Sequence, residues 1–442
     1  MREQLGREPT TRFSVVARCP GGHPLVIRNH PLDADGKPFP TLYWLTCVDA
    51  GRRVASLESE GWIDRLEIEF ARELERAHRE YALDRARDVP QARAWGGVGG
   101  TRVGLKCLHA HYAYHLAGGD DAVGAWVAER VEPVHEERPR VAAVDLGTNS
   151  IRLIVASPAE DGGLEEFARD MVITRIGRAV DETGRIGDDA LSRTVAVLER
   201  YCRRARALHA SRIRVGATSA VRDASNRDEL EAAVRRAAGS ELEVIPGERE
   251  AAMSFLGATR GLDAEPPFLV LDIGGGSTEF VVGTSEPEAA ISTQMGSVRL
   301  TERVVRHDPP TREELDRLQA AVGDVLDEVE RSVPVRDART LVAVAGTATT
   351  VRAIDLDLPF YDPDRIHRTR LTVDAAERVL EKLAGMTTPE RAALPVMAPG
   401  REDVIVAGAV ILVEVMRRFG FDQVVVSETD ILDGLGLEML QG

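Results

Sequence analysis

VAAVDLGTNSIRLIVA (residues 141–156) and FLVLDIGGGSTEFVVG (residues 268–283) superpose without a gap. Each copy is an apolar run, an aspartate, a short turn of Gly, Ser, Asn or Thr, and a second apolar run. Two apolar runs around a glycine turn predict a strand–turn–strand hairpin. The copies lie 127 residues apart, far beyond a solenoid period, so the spacing predicts a duplicated domain. Helical periodicity follows each copy, at residues 189–209, 227–238 and 248–256 after the first and 311–333, 373–383 and 404–419 after the second. Strand-like runs at 212–216, 242–245, 341–345 and 423–426 alternate with them. The expectation is an α/β protein with two similar lobes and a cleft between them.

The rest of the chain bounds this picture. At 442 residues it is too long for one ordinary core. Hydrophobic residues at 43% and charged residues at 29% exclude disordered and fibrous classes. The longest apolar run, residues 404–413, is half a membrane span and reads as a buried helix. The first residues, MREQLGREPTTR, lack the apolar centre of a signal peptide, and four irregularly spaced cysteines make no disulfide framework. A soluble, cytoplasmic protein without a membrane partner is the expectation.

The charge is uneven. Residues 1–138 hold 19 basic and 21 acidic groups, and the remainder 37 and 51, so most of the net charge of −16 lies in the C-terminal two-thirds. That balance argues against a specific nucleic-acid partner, although a local site can differ from the sum. All four tryptophans lie before residue 138, and the charged, proline-bearing segment 131–139 reads as a linker. The division expected is an N-terminal domain over 1–138, a first lobe over 139–266 and a second over 267–442.

A turn rich in glycine, hydroxyl and amide residues suits an anion, because its backbone N–H groups can approach closely and its side chains add donors. Asp145 and Asp272 stand directly before the two turns, where a carboxylate can hold a divalent cation against phosphate oxygens. A single copy would be read first as a tight hairpin; two matched copies favour phosphate.

The repeated hairpin resembles the superfamily of actin, sugar kinases and heat-shock ATPases, whose lobes are ribonuclease-H-like. Six ordered motifs narrow the resemblance: DLGTNSIRL, ATSAVRDASN (217–226), PGEREA (246–251), LDIGGGSTE (271–279), QMGSVRLTE (294–302) and VAGTATTV (344–351). Together they resemble the exopolyphosphatase / guanosine pentaphosphate phosphatase family over about 300 residues, from Arg140 to Gly442. The resemblance implies a two-lobed, actin-like α/β fold and removal of terminal phosphate from inorganic polyphosphate or guanosine pentaphosphate, with Mg²⁺ or Mn²⁺ as cofactor. It implies that Gly147, Thr148, Asn149 and Ser150 cradle phosphate from one lobe, and Gly274, Gly275, Gly276, Ser277 and Thr278 from the other. Arg222 would contact a phosphoryl oxygen, and Asp145, Asp272 and, as a weaker third, Glu279 would hold the metal. Gly346 and Thr347 fall in the loop where kinases of this fold hold the nucleoside. The chain ends soon after SETDILDGLGLEML, as in short, two-lobe members, which often form homodimers.

Phosphohydrolysis needs a carboxylate that takes a proton from water in line with phosphorus. The family motif makes Glu250 that base, with Glu248 as the fallback. Arg249 interrupts the family's usual run of acids, and keeps open a non-catalytic sensor of polyphosphate or alarmone nucleotide. A kinase or ATPase of the same fold is the other alternative. The arginine-dense stretch 200–206 reads as a solvated face, with a polyanion path as the sharper alternative.

Residues 12–130 resemble a bacterial domain of unknown function, through RCPGGHPLV, GKPFPTLYWLTC and LKCLHAHYAYHLAGG. In the last segment a helix would place Cys107 and His111 four apart, with Cys19, His23 and Cys47 able to complete a zinc site. CPGGH lacks a paired Cys-x-x-Cys, so these residues are read first as core. The segment 62–81 reads as a charged surface helix.

Overall fold

The computed structural model describes residues 11–441, apart from 20, 21, 34, 40, 90, 91, 93, 94, 132–138 and 160–162. The linker expected at 131–139 therefore falls almost wholly outside the described residues. The chain divides into two compact units. Unit 1 comprises Met1–Ala142, Leu153–Asp170 and Leu198–Ile213; unit 2 comprises Ala143–Arg152, Met171–Val197 and Arg214–Gly442.

Ignoring single-turn helices, the N-terminal part runs β1 (Phe13–Arg18), β2 (Pro24–Asn29), β3 (Tyr43–Leu45), α1 (Val48–Ser59), α2 (Trp62–Glu69), α3 (Ala71–Ala86), α4 (Leu108–Leu116) and α5 (Ala122–Val131). The strands form an antiparallel sheet of order β1-β2-β3. Next come β4 (Arg140–Leu146), β5 (Ser150–Pro158), β6 (Leu164–Ile173), α6 (Asp188–Ala207), β7 (Ala210–Ala217), α7 (Asp228–Ala238), β8 (Leu242–Val244) and α8 (Gly247–Thr259). Their sheet has the order β6-β5-β4-β7-β8. The last part is β9 (Phe268–Ile273), β10 (Thr278–Gly283), β11 (Pro287–Thr293), α9 (Ser297–Val304), α10 (Arg312–Ser332), β12 (Thr340–Val344), α11 (Ala345–Asp355), β13 (Thr369–Thr372), α12 (Val373–Ala384), α13 (Ile405–Phe419), β14 (Gln423–Val426) and α14 (Ile431–Gln441). Its six strands are ordered β11-β10-β9-β12-β14-β13. The α/β class, two sheet-centred lobes after a smaller α+β region, is the one expected.

Strand alternation in the six-stranded sheet sets up the site. Leu269, Leu271 and Ile273, with Phe280 and Val282, share one face and pack into the core that holds α10, α12 and α13. Phe268, Val270 and Val281 take the opposite face and pack on Ala251, Phe255 and Ala258 of α8. With a period of two, Asp272 and Glu279 must share that second face. Phe255 is fully buried there, so Phe255→Ala would cost about 3–5 kcal/mol. The apolar run of α13 is buried along nearly its whole length, as its composition requires.

Unit 1 corrects three expectations. The stretch 62–81 is two helices broken at Phe70, and Leu74, Ala77, His78, Tyr81, Asp84 and Arg85 of α3 are buried. Three of the arginines at 200–206 are not a solvated face, although Arg206 is exposed. Arg200 pairs with Asp84 at 3.4 Å, Arg204 with Asp170 at 2.9 Å, and Arg203 donates to the Gly118 carbonyl at 3.2 Å. The Tyr43 hydroxyl also donates to Asp84, at 2.5 Å. Burial alone would raise the Asp84 carboxyl, but Arg28, Arg200 and Arg87 outweigh it and hold it below its usual range. Finally, Cys107 is the N-cap of α4, while His111 lies buried with Nδ1 2.7 Å from Asp121, so the two do not share a site.

Candidate active site

Every residue the family resemblance singled out for phosphate, Mg²⁺ or base chemistry belongs to unit 2. Register brings the second hairpin's acids together: Asp272 on β9 lies opposite Glu279 on β10, which lies opposite Ser292 on β11. Ser292 Oγ donates to Glu279 Oε1 at 2.7 Å, and Ser254 Oγ of α8 donates to Asp272 Oδ2 at 2.5 Å. Glu250 enters from the first turn of α8. That helix starts after Pro246, whose extended backbone and missing N–H suit a boundary, and the N–H of Glu250 bonds to the Pro246 carbonyl at 2.9 Å. Glu250 is 7% exposed.

The three carboxyls are held toward their protonated forms. Burial, then Glu279, Asp272 and Asp145, push Glu250 well above the usual range, against Arg222. Burial and Asp272 push Glu279 up to about 8, and burial and Asp430 push Asp272 up to about 6. Asp145 is raised as well, chiefly by burial.

The first hairpin supplies a counter-charge. Arg152 donates to Asp145 Oδ2 from Nε (3.0 Å) and Nη2 (2.6 Å), and its Nη1 pairs with Asp430. Counting from the aspartate, Arg152 and Glu279 both stand seven residues on, so the repeat places opposite charges at one position. Arg152 and Arg222 thus stand against five acids, Asp145, Asp272, Glu279, Glu250 and Asp430. Asp145 Oδ1 and Glu279 Oε2 are buried with no hydrogen-bond partner among the described residues. Orphaned carboxylate oxygens amid surplus negative charge fit a divalent cation of oxygen-ligand preference.

The two turns close in the same way. Gly147 N–H bonds to Ser150 O at 2.9 Å, and Gly274 N–H to Ser277 O at 3.0 Å. Their carbonyls are then engaged from outside: Thr148 O accepts from Gly177, and Asn149 O from Thr174 and Arg175. Gly274 O and Gly275 O accept from the first N–H groups of α9, and Gly276 O accepts from Arg299 Nε at 2.7 Å. The N–H groups of Thr148, Asn149, Gly275 and Gly276 make no backbone hydrogen bond among the described residues, which is what an anion cradle requires. The turns pack together, since a Cβ on Gly276 would lie 2.7 Å from Ser219 Oγ and 2.8 Å from Thr148 Oγ1. The Thr278 hydroxyl donates to the Met295 carbonyl and so faces the protein, and Ser277 is buried.

Arg222 donates from Nη1 to the Ile245 carbonyl (2.7 Å) and to Glu250 Oε2 (3.4 Å), which sets it beside the expected base. Arg249 turns the other way. It pairs with Glu243 at 2.6 Å and Glu438 at 2.9 Å, and Arg214 joins the same two acids at 2.7 and 2.8 Å. Its charge is therefore committed to a partly exposed surface network. Gly346 lies under the guanidinium of Arg401, which donates to Thr350 Oγ1 at 2.7 Å.

Arg152, Asp430 and Arg299 were not foreseen as site residues. Superposition of the hairpins could have found Arg152, because it aligns with Glu279. Arg299, in QMGSVRLTE, clasps Asp181, Ser219 and Asp223 behind the second turn. Asp430 had no signal short of the fold.

Comparison with known proteins agrees with this assembly. The model of the Ppx/GppA phosphatase family matches residues 154–442, and that of a protein family of unknown function (DUF501) matches residues 15–129. The chain is 45% identical over 313 residues to exopolyphosphatase 2 of Mycobacterium tuberculosis, covering 68% of this chain and 98% of that protein. It is 30% identical to exopolyphosphatase 1 of the same organism, over 68% of this chain and 88% of that one. The crystal structure of the Aquifex aeolicus Ppx/GppA family member superposes with a TM-score of 0.60 at 32% identity, covering 69% of this chain and 98% of the other.

Proposed function

Since the chain belongs to the Ppx/GppA phosphatase family, we propose that it releases terminal orthophosphate from inorganic polyphosphate, guanosine pentaphosphate or both. The observation that carries this reading is Glu250, buried and proton-avid beside Asp272, Glu279 and Arg222, at the edge of two anion-ready turns. The turns Gly147, Thr148, Asn149 and Ser150, and Gly274, Gly275, Gly276, Ser277 and Thr278, hold the terminal phosphates, chiefly through the N–H groups of Thr148, Asn149, Gly275 and Gly276, while the other residues shape the turns. Arg222 steadies the departing phosphoryl group. Asp145, Asp272 and Glu279 hold Mg²⁺ or Mn²⁺, which when bound supplies positive charge for the phosphate oxygens. Glu250 acts only in its ionised form, in which the carboxylate takes a proton from water at Oε1, the oxygen away from Arg222. The water oxygen bonds to phosphorus in line with the bridging P–O bond, which breaks with its electron pair going to the shortened chain.

The commitment of Arg249 to Glu243 and Glu438 removes the feature that favoured a sensor. Among the described residues no helix is long and apolar enough to cross a membrane. Cys19, Cys47, Cys107 and Cys202 are not joined in disulfides, which supports a cytoplasmic setting, and a homodimer is part of the proposal. The test is orthophosphate release with Mg²⁺ from short polyphosphate, guanosine pentaphosphate and ATP in parallel. Glu250→Gln is expected to lower turnover on the first two by roughly 10²–10⁴-fold, the usual worth of a general base. Unchanged turnover would remove Glu250 from the mechanism, and phosphate transfer from ATP to a sugar would restore the kinase reading.

A further inference from the structure

Among the described residues, one group of three side chains brings metal-ligand atoms within 4.8 Å of one another: Glu58, Cys107 and His109. Glu58 is in the last turn of α1, Cys107 caps α4, and His109 is in the first turn of α4. The start of α4 fixes two of the three atoms. Leu108 N–H donates to Glu58 Oε1 at 2.6 Å and Ala110 N–H to Cys107 Sγ at 3.4 Å, so helix N–H groups favour negative charge on both, although burial outweighs this at Cys107 and raises its thiol.

His109 is gripped from both sides. Its Nε2 lies 3.1 Å from the Gly51 carbonyl, which can only accept, so Nε2 carries the proton. Nδ1 then faces Glu58 Oε1 at 3.1 Å. A bare Nδ1 and a carboxylate are both acceptors, and their contact requires either a second ring proton or a metal ion. A proton would satisfy those two atoms but would leave the Cys107 sulfur, held beside them by the Ala110 N–H, outside the interaction. A metal ion uses all three. The carbonyl behind the ring is the usual second partner of a metal-bound histidine.

We propose that Glu58, Cys107 and His109 form a zinc site that ties the end of α1 to the start of α4. One oxygen, one thiolate and one imidazole nitrogen suit zinc better than magnesium or calcium. Glu58 and His109 side chains are 24% and 33% exposed, which leaves the fourth position open to water. Tetrahedral bonds of about 2.0–2.3 Å set the ligand atoms roughly 3.3–3.8 Å apart, so the sulfur must settle within that range and the Nδ1–Oε1 pair must open slightly from 3.1 Å, movements that side-chain rotation can supply. The other thiol pair, Cys19 and Cys47, hydrogen-bonds beside His23, with Cys19 Sγ 3.9 Å from Nδ1, but no group including His23 meets the 4.8 Å distance.

The test uses the full chain, stripped by a chelator and titrated with Co²⁺ and then Zn²⁺. The expected result is a thiolate-to-cobalt charge-transfer band that saturates at one equivalent and disappears when zinc displaces cobalt. The carboxylates of the phosphatase site cannot give this band. Cys107→Ser should abolish it, and His109→Gln should weaken zinc binding by more than the roughly 10–100-fold that loss of an outer partner costs. Thermal melting in chelator, matched to the wild type, establishes that each variant is folded, and two independent ligands guard against failure of one. A wild-type chain without the band overturns the proposal. So does a band that survives Cys107→Ser and vanishes in Cys47→Ser, which would place the metal on the other pair.

Discussion

Arg152 shows how one side chain changes what a repeat does. The hairpins share their aspartate and turn, but the seventh position on is arginine in one and glutamate in the other. The Glu279 copy adds charge to a carboxylate cluster, while the Arg152 copy ties Asp145 to Asp430. Removal of Arg152 would leave Arg222 alone against five acids, an arrangement that repels a polyphosphate tail. Arg152→Gln is therefore expected to lower kcat/KM for polyphosphate by on the order of 100-fold, as loss of a preorganised charge does. Arg152→Lys should recover part of it, since it restores charge but not the two bonds to Asp145. Phosphate-release kinetics decide the matter, and a glutamine variant with wild-type kcat/KM would make Arg152 merely structural.

Turns and helices impose their own constraints. A methyl on Gly276 meets Ser219 and Thr148 below normal contact distance, so Gly276→Ala must part the turns or distort one. The expected loss is about 1–3 kcal/mol in stability and at least tenfold in kcat/KM, read by melting and phosphate release. Full activity would show that the turns need not touch. At the start of α8 the reverse is expected. Arg249→Gln breaks half-exposed pairs with Glu243 and Glu438, so it should shift stability by no more than about 1 kcal/mol and leave kcat within about twofold. A tenfold loss of kcat would return Arg249 to the site. These elements also mark what was legible in sequence. The hairpins, α6 to α8, α10, α12 and α13 announced themselves by period, and the aspartates and turns by repetition. β6, β11 and β13 did not, because half-buried strands with mixed faces give weak alternation. α11 starts in AGTATT, whose Gly and Thr residues carry little helical preference. The buried role of Arg200 depends on Asp84, 116 residues away, and no local period reports such a pair.

For the whole chain, the carboxylate cluster turns pH into a stability variable. Free carboxyls titrate near pH 4, whereas the folded chain holds Asp272 to about 6, Glu279 to about 8 and Glu250 well above its usual range. Between those limits the folded state binds more protons than the unfolded state, and unfolding releases them. Stability from these groups is thus fully present below pH 4 and is lost as pH rises through the folded values. Each pH unit in the window costs about 1.4 kcal/mol for every group protonated only in the fold. A divalent cation competes with the same protons, so its stabilising effect must grow with pH. The melting temperature of the chelated chain should fall from pH 5 to pH 8.5, while the rise on adding Mg²⁺ should be small at the acid end and large at the alkaline end. The net charge of −16 also favours unfolding as carboxylates ionise, so a control is needed to separate site from sum. Glu279→Gln is that control: it removes one buried titration, changes the net charge by one, and should flatten the chelated slope between pH 5 and 8. A chelated melting temperature that climbs across this range, or a slope untouched by Glu279→Gln, would mean that the cluster is ionised in the fold without metal.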